Sequence, residues 1–403
     1  MIRLAFRNLF RQKVRNLITM GSIVFGVAAL IVAGGFVEDV FTQLRDATIK
    51  SRLGYLQVFK AGYFEFGRRD PYAYLITDPQ RLYKRFMEIP SVVDVLQRVN
   101  VMGLVNNGKT DRAVMVEGVE ADKEVALSSF ITIIDGRALT GKDDMGVMLG
   151  EGVATALNLK PGDVVTVVGS TTSGAMNSLE LGVVGIFRSF SKEFDARTVR
   201  IPLATAQSLI DSAAVHSFVF SLSDVAAVAG VAEYLKLSLA PKSFDFKTWL
   251  DLDDFYPKTV DLYKSQFGVL QLIILIIVLL SVANSVAMTA NERVGEFGTM
   301  RAMGNTSRQV YVQLLVENGL LGLTGATLGV LFGIVVALSI SKFGIPMPPP
   351  PNANAGYTAY IRVVPLVCVE AFLVGIVATI VSALLSGIGP TRKPITDALR
   401  ENI

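Results

Sequence analysis

Residues 266–290 read QFGVLQLIILIIVLLSVANSVAMTA, a stretch that contains no charged side chain. An α-helix needs roughly 20 residues to cross a hydrocarbon core of about 30 Å, so this stretch is long enough to span a membrane. Three further stretches have the same character, at 17–37, 318–341 and 371–391. The chain is therefore predicted to be an α-helical integral membrane protein with four transmembrane helices.

The composition agrees with a membrane protein and excludes several function classes. Of 403 residues, 51% are hydrophobic and 18% are charged, and the mean hydropathy is +0.48. The formal net charge of +3 is small and dispersed, which argues against nucleic-acid binding. One cysteine and one histidine cannot form an ordinary zinc site, and no nucleophile motif accompanies His216. We therefore expect a non-catalytic chain that binds no metal or cofactor, with His216 in a structural role.

The segment between the first two spans alternates between strand-like and helix-like patterns. Strands are predicted at 55–59, 92–105, 112–119, 164–168 and 179–187, with a further one around His216, and helices at 151–159, 203–212 and 225–239. These patterns predict a large α+β extracytoplasmic domain inserted between the first and second transmembrane helices. Residues 38–52 and 251–265 are expected to form helical stalks that join it to the spans.

The positions of Lys and Arg predict the orientation. Short segments rich in these residues, at 1–16, 291–309 and 390–403, fall on one side of a four-span topology. The predicted order is an interfacial amphipathic helix (1–16), a first span (17–37), the exported domain (38–265), a second span (266–290), a short cytoplasmic helix (291–309), a third span (310–341), a Pro-rich outer loop (342–364), a fourth span (365–389) and a tail (390–403). Both termini are thus predicted to face the cytoplasm and the domain to face the periplasm.

The third span carries a glycine stripe and one acidic residue. Gly322, Gly325, Gly329 and Gly333 are spaced so that another helix can approach closely, either in a sliding seam or in static packing within one subunit. Glu317 lies at the cytoplasmic end of this span, and an ionisable group at membrane depth is a functional candidate.

The turn after the second span is the most informative motif. Residues 291–304 read NERVGEFGTMRAMG, which combines charges of both signs with Phe297, Met300 and Met303 at helical spacing and ends on Gly304, a predicted helix stop. A short helix with one apolar and one charged face, held between two spans, is suited to docking a soluble partner.

These residues resemble a known family. The run EFGTMRAMG at 296–304 and the glycine-rich segment 317–333 are similar to the signature of the FtsX-like, MacB-type permeases of ABC transporters, also called type VII. The segments LGE at 149–151, LKPGD at 159–163 and PITDALR at 394–400 agree with it. The segment GYLQV at 54–58 looks more like the lipoprotein-releasing LolC/LolE branch, and the absence of a fused ATPase ahead of 1–16 departs from the MacB pattern.

The resemblance implies a role for the turn. In this family a coupling helix contacts a separate ABC ATPase, and the contact residues carried over to this chain are Glu292, Arg293, Glu296, Phe297, Met300, Arg301 and Gly304. Phe297 and Met300 would fill a groove of the ATPase, and the charged residues would surround it. ATP and Mg²⁺ would bind to two ATPase subunits, and motion would pass to the periplasm by mechanotransmission.

The resemblance leaves several alternatives open. The expected function is lipoprotein or lipid extraction from the bacterial inner membrane, with efflux of hydrophobic compounds or FtsX-like signalling to a cell-wall hydrolase as alternatives. The second permease is either an identical copy or a paralogue. A periplasmic carrier or a membrane-fusion adaptor would complete the assembly, and no residue of the exported domain is assigned to cargo.

Overall fold

The computed structural model describes residues 13–67, 69–239, 243–349, 356–392 and 394. The predicted interfacial helix, 1–16, therefore lies mostly outside the described residues, as does most of the predicted tail, 390–403. The helices are α1 (Lys13–Thr48), α2 (Tyr63–Phe66), α3 (Pro79–Met87), α4 (Ala121–Leu127), α5 (Glu151–Leu157), α6 (Lys192–Asp195), α7 (Leu203–Ile210), α8 (Ala227–Ser238), α9 (Trp249–Leu252), α10 (Phe255–Glu292), α11 (Val294–Ala302), α12 (Ser307–Phe343) and α13 (Pro365–Arg392).

The strands are β1 (Leu56–Lys60), β2 (Val92–Asn106), β3 (Asp111–Val119), β4 (Thr132–Gly136), β5 (Gly146–Gly150), β6 (Val164–Ser170), β7 (Met176–Arg188), β8 (Thr198–Pro202), β9 (Ser217–Leu222), β10 (Phe244–Thr248), β11 (Ile345–Met347) and β12 (Tyr357–Ala359). A π-helical turn, Ile49–Leu53, follows α1, and a 3₁₀ turn, Pro71–Tyr74, precedes α3. The contacts of the chain divide it into two compact units.

The first, here called the helical unit, comprises Met1–Thr42, Val260–Met347 and Thr358–Ile403. The helices α1, α10, α12 and α13 are each long and apolar enough to cross a membrane, which confirms the four predicted helices. Their common core is built from aliphatic side chains that include Ile23, Val27, Ile31, Val282 and Ala326. Many of their other large apolar side chains are exposed, as expected where lipid replaces water as the solvent.

The segment between α12 and α13 is attached to α1 by a carboxylate. Asp39 is 1% exposed and accepts hydrogen bonds from the Tyr360 backbone N–H and from Nε of Arg362, both at 2.8 Å. Gly35 lies against the Arg362 carbonyl, where a side chain on residue 35 would collide with the loop backbone. This attachment was not predicted from the sequence.

The second unit, here called the α+β unit, comprises Gln43–Thr259 and Pro348–Tyr357. Its main sheet has the strand order β10-β1-β9-β2-β3-β8-β5-β7-β4, and β6 pairs with both β2 and β7. The pairs β3–β8 and β5–β7 are parallel, and the other described pairs in this sheet are antiparallel. The unit has the mixed α+β character that the sequence predicts.

The core of the α+β unit lies between the sheet and the helices packed on it. Phe86 of α3 is fully buried, and its ring lies 5.1 Å, centre to centre, from the rings of Phe218 and Phe220 on β9. The predicted strands correspond to β1, β2, β3, β6, β7 and β9 with small shifts at their ends, whereas β4, β5, β8 and β10 were not predicted. His216 lies immediately before β9 rather than within it.

Candidate functional site

The turn between α10 and α12 has a well-defined backbone. The helix α11 ends where Gly304 adopts a φ of +103°, with Gly304 N–H donating to the Arg301 carbonyl at 3.0 Å and Asn305 N–H to the Met300 carbonyl at 3.1 Å. This pair of bonds satisfies carbonyls that a helix end leaves free, and glycine adopts the required positive φ without strain. Gly304 therefore stops the helix, as the sequence predicts.

The next helix begins at once. Thr306 caps the N-terminus of α12, since its hydroxyl accepts from Gln309 N–H at 3.3 Å while the Gln309 side chain accepts from Thr306 N–H at 2.8 Å. The turn is thus fixed at both ends by hydrogen bonds, and α11 is held in one position relative to the start of α12.

One face of α11 packs inside the chain itself. Phe297 is 4% exposed and clusters with Ala290 of α10 and with Val310 and Leu314 of α12, while Met300 is half-buried against them. The prediction that Phe297 fills a groove of a partner is therefore wrong for this structure. Burial of a phenylalanine side chain stabilises by roughly 1.5 to 3 kcal/mol, and here that energy fastens α11 to its own helices.

Arg293 and Glu317 form a buried ion pair next to this cluster. Arg293 is 8% exposed and Glu317 is 7% exposed, and the guanidinium donates to both carboxylate oxygens of Glu317. Nε of Arg293 donates to Glu296 at 2.9 Å, and the guanidinium carbon lies 5.5 Å from the centre of the Phe297 ring. Arg293 is therefore directed inwards, which corrects the prediction that it contacts a partner.

The ion pair accounts for the burial of the Glu317 charge. It also connects Arg293 with Glu317, two predicted site residues that the sequence alone did not link. Gln313 also contacts Glu317, with Nε2 lying 3.4 Å from Oε1. Removing one member of a buried ion pair leaves an uncompensated charge, which typically costs about 3 to 5 kcal/mol. The pair thus joins the N-terminus of α11 to α12 independently of the apolar cluster.

The opposite face of α11 forms an exposed ridge. We define the ridge as Glu296 and Thr299 of α11, together with Glu292 at the end of α10 and Met303 immediately after α11. Glu292, Thr299 and Met303 are exposed, Met303 by 74%, and the Glu296 side chain is 39% exposed. Met303 was predicted to share the apolar face of Phe297 and Met300, but it is exposed and lies outside their cluster. Thr299 was missed as a site residue, although its spacing from Glu296 is the signal that could have identified it.

The predicted glycine stripe packs against other helices of the same chain. A Cβ placed on Gly329 would lie 2.8 Å from Val27 Cβ and 3.2 Å from the Val24 Cα, and one on Gly333 would lie 3.1 Å from the Ala28 Cα. Gly325 faces Ile23 of α1 in the same way, and Gly322 faces Thr379 of α13. Of the two interpretations left open, close packing within one subunit is the one this geometry supports.

A second, unpredicted polar cluster surrounds the π-helical turn within the α+β unit. Arg98 donates to the Arg52 carbonyl, and Arg200 donates to the Ser51 carbonyl at 3.3 Å. Both guanidinium groups are more than 95% buried and also contact Glu124. They satisfy carbonyls at the C-terminal end of the helix, where cations are also favoured by the helix dipole.

The carboxylates of this cluster come from two neighbouring elements. Glu117 accepts from Nε of Arg200 at 3.1 Å, and Glu124 accepts from Arg98 at 2.7 Å and from Ser128 at 2.9 Å. Burial alone would raise the pKa of Glu124, but the charges of Arg98 and Arg200 and the hydrogen bonds outweigh it and lower that pKa. We call Arg98, Glu117, Glu124 and Arg200 the stalk clamp, because they hold the end of the stalk turn.

His216 has the surroundings of a structural residue. It is fully buried, its Nδ1 accepts from Asn100 N–H at 3.2 Å, and it lies near the rings of Tyr63 and Tyr72. Burial lowers its pKa to about 4, so the ring is neutral at physiological pH. No group of three or more metal-ligating side chains occurs among the described residues.

Comparisons with known proteins cover most of the chain. Residues 17–237 match the family model of the MacB-like periplasmic core domain, and residues 268–395 match that of the FtsX-like permease C-terminal region. The lipoprotein-releasing system transmembrane protein LolE of Haemophilus influenzae is 23% identical over 275 residues, which are 66% of this chain and 65% of that protein. An uncharacterized ABC transporter permease of Methanocaldococcus jannaschii is 23% identical over 356 residues, 83% of each chain.

Solved structures of single domains were also compared. The periplasmic region of MacB from Actinobacillus actinomycetemcomitans has a TM-score of 0.38 at 17% identity, covering 53% of this chain and 94% of that structure. The extracellular domain of the ABC-type transporter YknZ from Gram-positive bacteria has a TM-score of 0.36 at 10% identity, covering 48% and 100%.

Proposed function

The chain belongs to the family of FtsX-like ABC transporter permeases that carry a MacB-like periplasmic core domain, and from this membership we propose that it is the membrane subunit through which a separate ATPase moves that domain. In this proposal the chain hydrolyses no ATP. ATP and Mg²⁺ bind to two ATPase subunits, and a second permease, identical or paralogous, completes the pair of membrane subunits. Both termini and the turn that carries α11 face the cytoplasm.

The observation that carries the proposal is the two-sided construction of α11. Its inner side is fixed to α10 and α12 by Phe297 and by the ion pair of Arg293 with Glu317. Its outer side presents the ridge of Glu292, Glu296, Thr299 and Met303. A force applied to the ridge is therefore passed to α12 rather than absorbed by a flexible loop.

We propose that motion that begins at the ridge ends at the stalk clamp. The helix α1 continues from its apolar stretch to Thr48, and the turn that follows it is held by Arg98 and Arg200. A displacement of the end of this helix would reach the sheet through those hydrogen bonds, since Arg98 belongs to β2 and Arg200 to β8. We propose that this is how the helical stalk drives the domain.

For the cargo we propose lipoproteins or other lipid-anchored molecules of the inner membrane. The support is the similarity to LolE, whose name assigns that protein to a lipoprotein-releasing system, together with the resemblance of GYLQV at 54–58 to that branch. Depletion of the chain in its host should leave lipoproteins in the inner membrane fraction. Normal sorting of lipoproteins with impaired export of hydrophobic compounds would instead favour efflux.

The contact with an ATPase is tested by photo-crosslinking at the ridge. A photoreactive amino acid at position 303 should crosslink an ABC ATPase in intact cells, identified by mass spectrometry through its nucleotide-binding motifs. The same substitution at Met176, which is 71% exposed on β7, is the matched control and should give no such product.

Substitutions at the same two positions measure how much the ridge contributes to binding of the ATPase. Met303→Asp should weaken co-purification of the ATPase, because it places a charge where an exposed apolar side chain would be buried by the partner. Met176→Asp should leave it unchanged. Equal ATPase recovery with both variants, and no ATPase crosslink at 303, would refute the assignment of the ridge.

A further inference from the structure

A short segment, 360–362, joins the C-terminal parts of α1 and α12 to the start of α13. Asp39 of α1 accepts two hydrogen bonds from this segment, and its side chain is 2% exposed. The Gly35 carbonyl of α1 accepts a third, at 3.2 Å. The hydroxyl of Ser341 on α12 accepts from Ile361 N–H at 2.9 Å and donates to the carbonyl of the same residue at 3.0 Å. We call these contacts the helix junction.

The same three helices also pack closely along their length. The four glycines of the stripe on α12 lie against α1 and α13, as described above. The helix α13 in turn lies against α1: a Cβ placed on Gly375 would be 2.7 Å from Val27 Cγ2, and one on Gly34 would be 2.6 Å from Val367 Cγ1. Such contacts bring backbones close together, so a small shift of one helix meets the atoms of the next. The junction and the glycine contacts therefore hold α1, α12 and α13 as one body.

The helix α10 is attached to this body along its C-terminal half. The buried residues of that half follow one another at a spacing of four: Val278, Val282, Val286 and Ala290. Its hydrogen bonds to neighbouring helices lie in the same half. Ser281 donates to Ser22 of α1 at 2.9 Å, and the carbonyls of Leu279 and Ala283 accept from hydroxyls of α13 at 3.0 and 3.1 Å.

The preceding part of α10, residues 261–277, is packed much less closely. None of these residues is buried. The ring of Phe267 lies 6.3 Å from that of Phe36 on α1. An open groove of about 630 Å³ lies between α1 and α10, with a lining that includes Phe25, Ala29, Ile274 and Ile277. Closely packed helices leave no space of this size, so this part of α10 has room to move.

We propose that α1, α12 and α13 move as one body and that residues 261–277 of α10 pivot against it about the contacts between Val278 and Ala290. Of the two helices that lead into the α+β unit, α1 then carries motion from α12, and α10 follows. This assignment of the driving helix rests on the proposed coupling to an ATPase. The difference in mobility between the two helices does not depend on that coupling.

Distances between spin labels on the full chain in lipid nanodiscs test the difference without ATPase or nucleotide. In a Cys368→Ser background, one label replaces Phe343 of α12, which is 91% exposed. The second label replaces Val269 or, as the matched control on the same helix, Met288; these residues are 58% and 54% exposed. An excess of unlabelled chain restricts the measured distances to one copy. We expect the distance distribution of the 269–343 pair to be roughly twice as wide as that of the 288–343 pair, or wider. Equal widths would overturn the proposal.

A third labelled pair examines the helix junction. Labels at Glu38 of α1 and at Phe343 should give a distribution as narrow as that of the 288–343 pair. Asp39→Ala should widen it, because the two hydrogen bonds to the segment before α13 are lost. The matched control is Asp46→Ala, which removes ion pairs confined to adjacent residues of the same stretch and should change nothing. An unchanged width in Asp39→Ala would overturn the role of the junction. Should this variant fail to fold, a 38–343 distribution as wide as the 269–343 one would still refute the single body.

Discussion

Replacing Arg293 by methionine should loosen α11 strongly, because it leaves the Glu317 carboxylate buried without its cation. The side chains of Arg293 and Glu317 are 10% and 9% exposed, so water cannot replace the lost partner. Gln313 Nε2 lies 3.4 Å from the Glu317 carboxylate and is a neutral donor, so it does not replace the cation. The expected loss is about 3 to 5 kcal/mol, and Glu317→Leu should cost less, because Arg293 keeps its ion pair with Glu296.

The double variant Arg293→Met with Glu317→Leu distinguishes an ion pair from general sensitivity of the site. Replacement of a buried pair by apolar side chains of similar volume is often neutral, since neither charge is then left alone. We therefore expect the double variant to recover most of the loss. The cluster of Phe297, Val310 and Leu314 would still hold the inner face of α11.

Hydrogen exchange of the Val294–Ala302 amides, measured by mass spectrometry on the full chain, is the appropriate assay because it reports local opening. A loss of 3 kcal/mol corresponds to an increase in the opening equilibrium of roughly a hundredfold or more. Peptides from β9 serve as the internal control and should not change. If both single variants exchange like the parent protein, or if the losses simply add in the double variant, the pair does not fasten α11.

Three further predictions concern single residues. Burial lowers the pKa of His216 to about 4 from an ordinary value near 6.5, so between these pH values the unfolded chain binds a proton that the folded unit excludes. The free energy of unfolding should therefore fall by about 3 kcal/mol as the pH drops from above 6.5 to 4. Because the sequence contains a single histidine, NMR can follow its ring directly and should show no titration near pH 6.5. Gly329→Val should destabilise the helical unit by about 1 to 3 kcal/mol through collision with Val27, whereas Gly319→Ala, with no atom within 4 Å of its Cβ, should be neutral or slightly stabilising in thermal unfolding. Gly304→Ala should raise amide exchange at the end of α11 by roughly five- to tenfold, because alanine is strained at a φ of +103°; an unchanged rate would show that the cap does not limit fraying.

The four long helices were predictable because each depends on local composition. The stretch 266–290 has no charged residue and is long enough to cross the hydrocarbon core, so its helical conformation in a membrane follows from composition and length alone. The strands β5 and β8 were missed for the opposite reason. Both are short buried runs that pair in parallel with β7 and β3, and such pairing depends on distant partners that no local pattern reveals.

In the candidate site, too, local patterns were predictable from the sequence, whereas contacts between distant residues were not. Helical spacing identified the apolar residues of α11, but it could not show whether Phe297 is covered by this chain or by another. Arg293 and Glu317 were each singled out, yet their pairing across the turn required the fold. The stalk clamp escaped notice because Arg98, Glu117 and Arg200 look like ordinary strand charges until the registers Glu117–Arg200 and Arg98–Val119 bring their strands together.

The position of Glu296 determines how the coupling hypothesis can be tested. Its carboxylate lies on the ridge, yet it also accepts from Nε of Arg293 at 2.9 Å, so a charge reversal there would disturb the inner ion pair as well as any partner contact. A loss of coupling in Glu296→Lys would therefore have two indistinguishable causes. Met303 lies beyond the end of α11, is 74% exposed and takes no part in the buried cluster of Phe297. A defect confined to Met303→Asp, with normal amide exchange in Val294–Ala302, isolates the partner contact from the attachment of the helix.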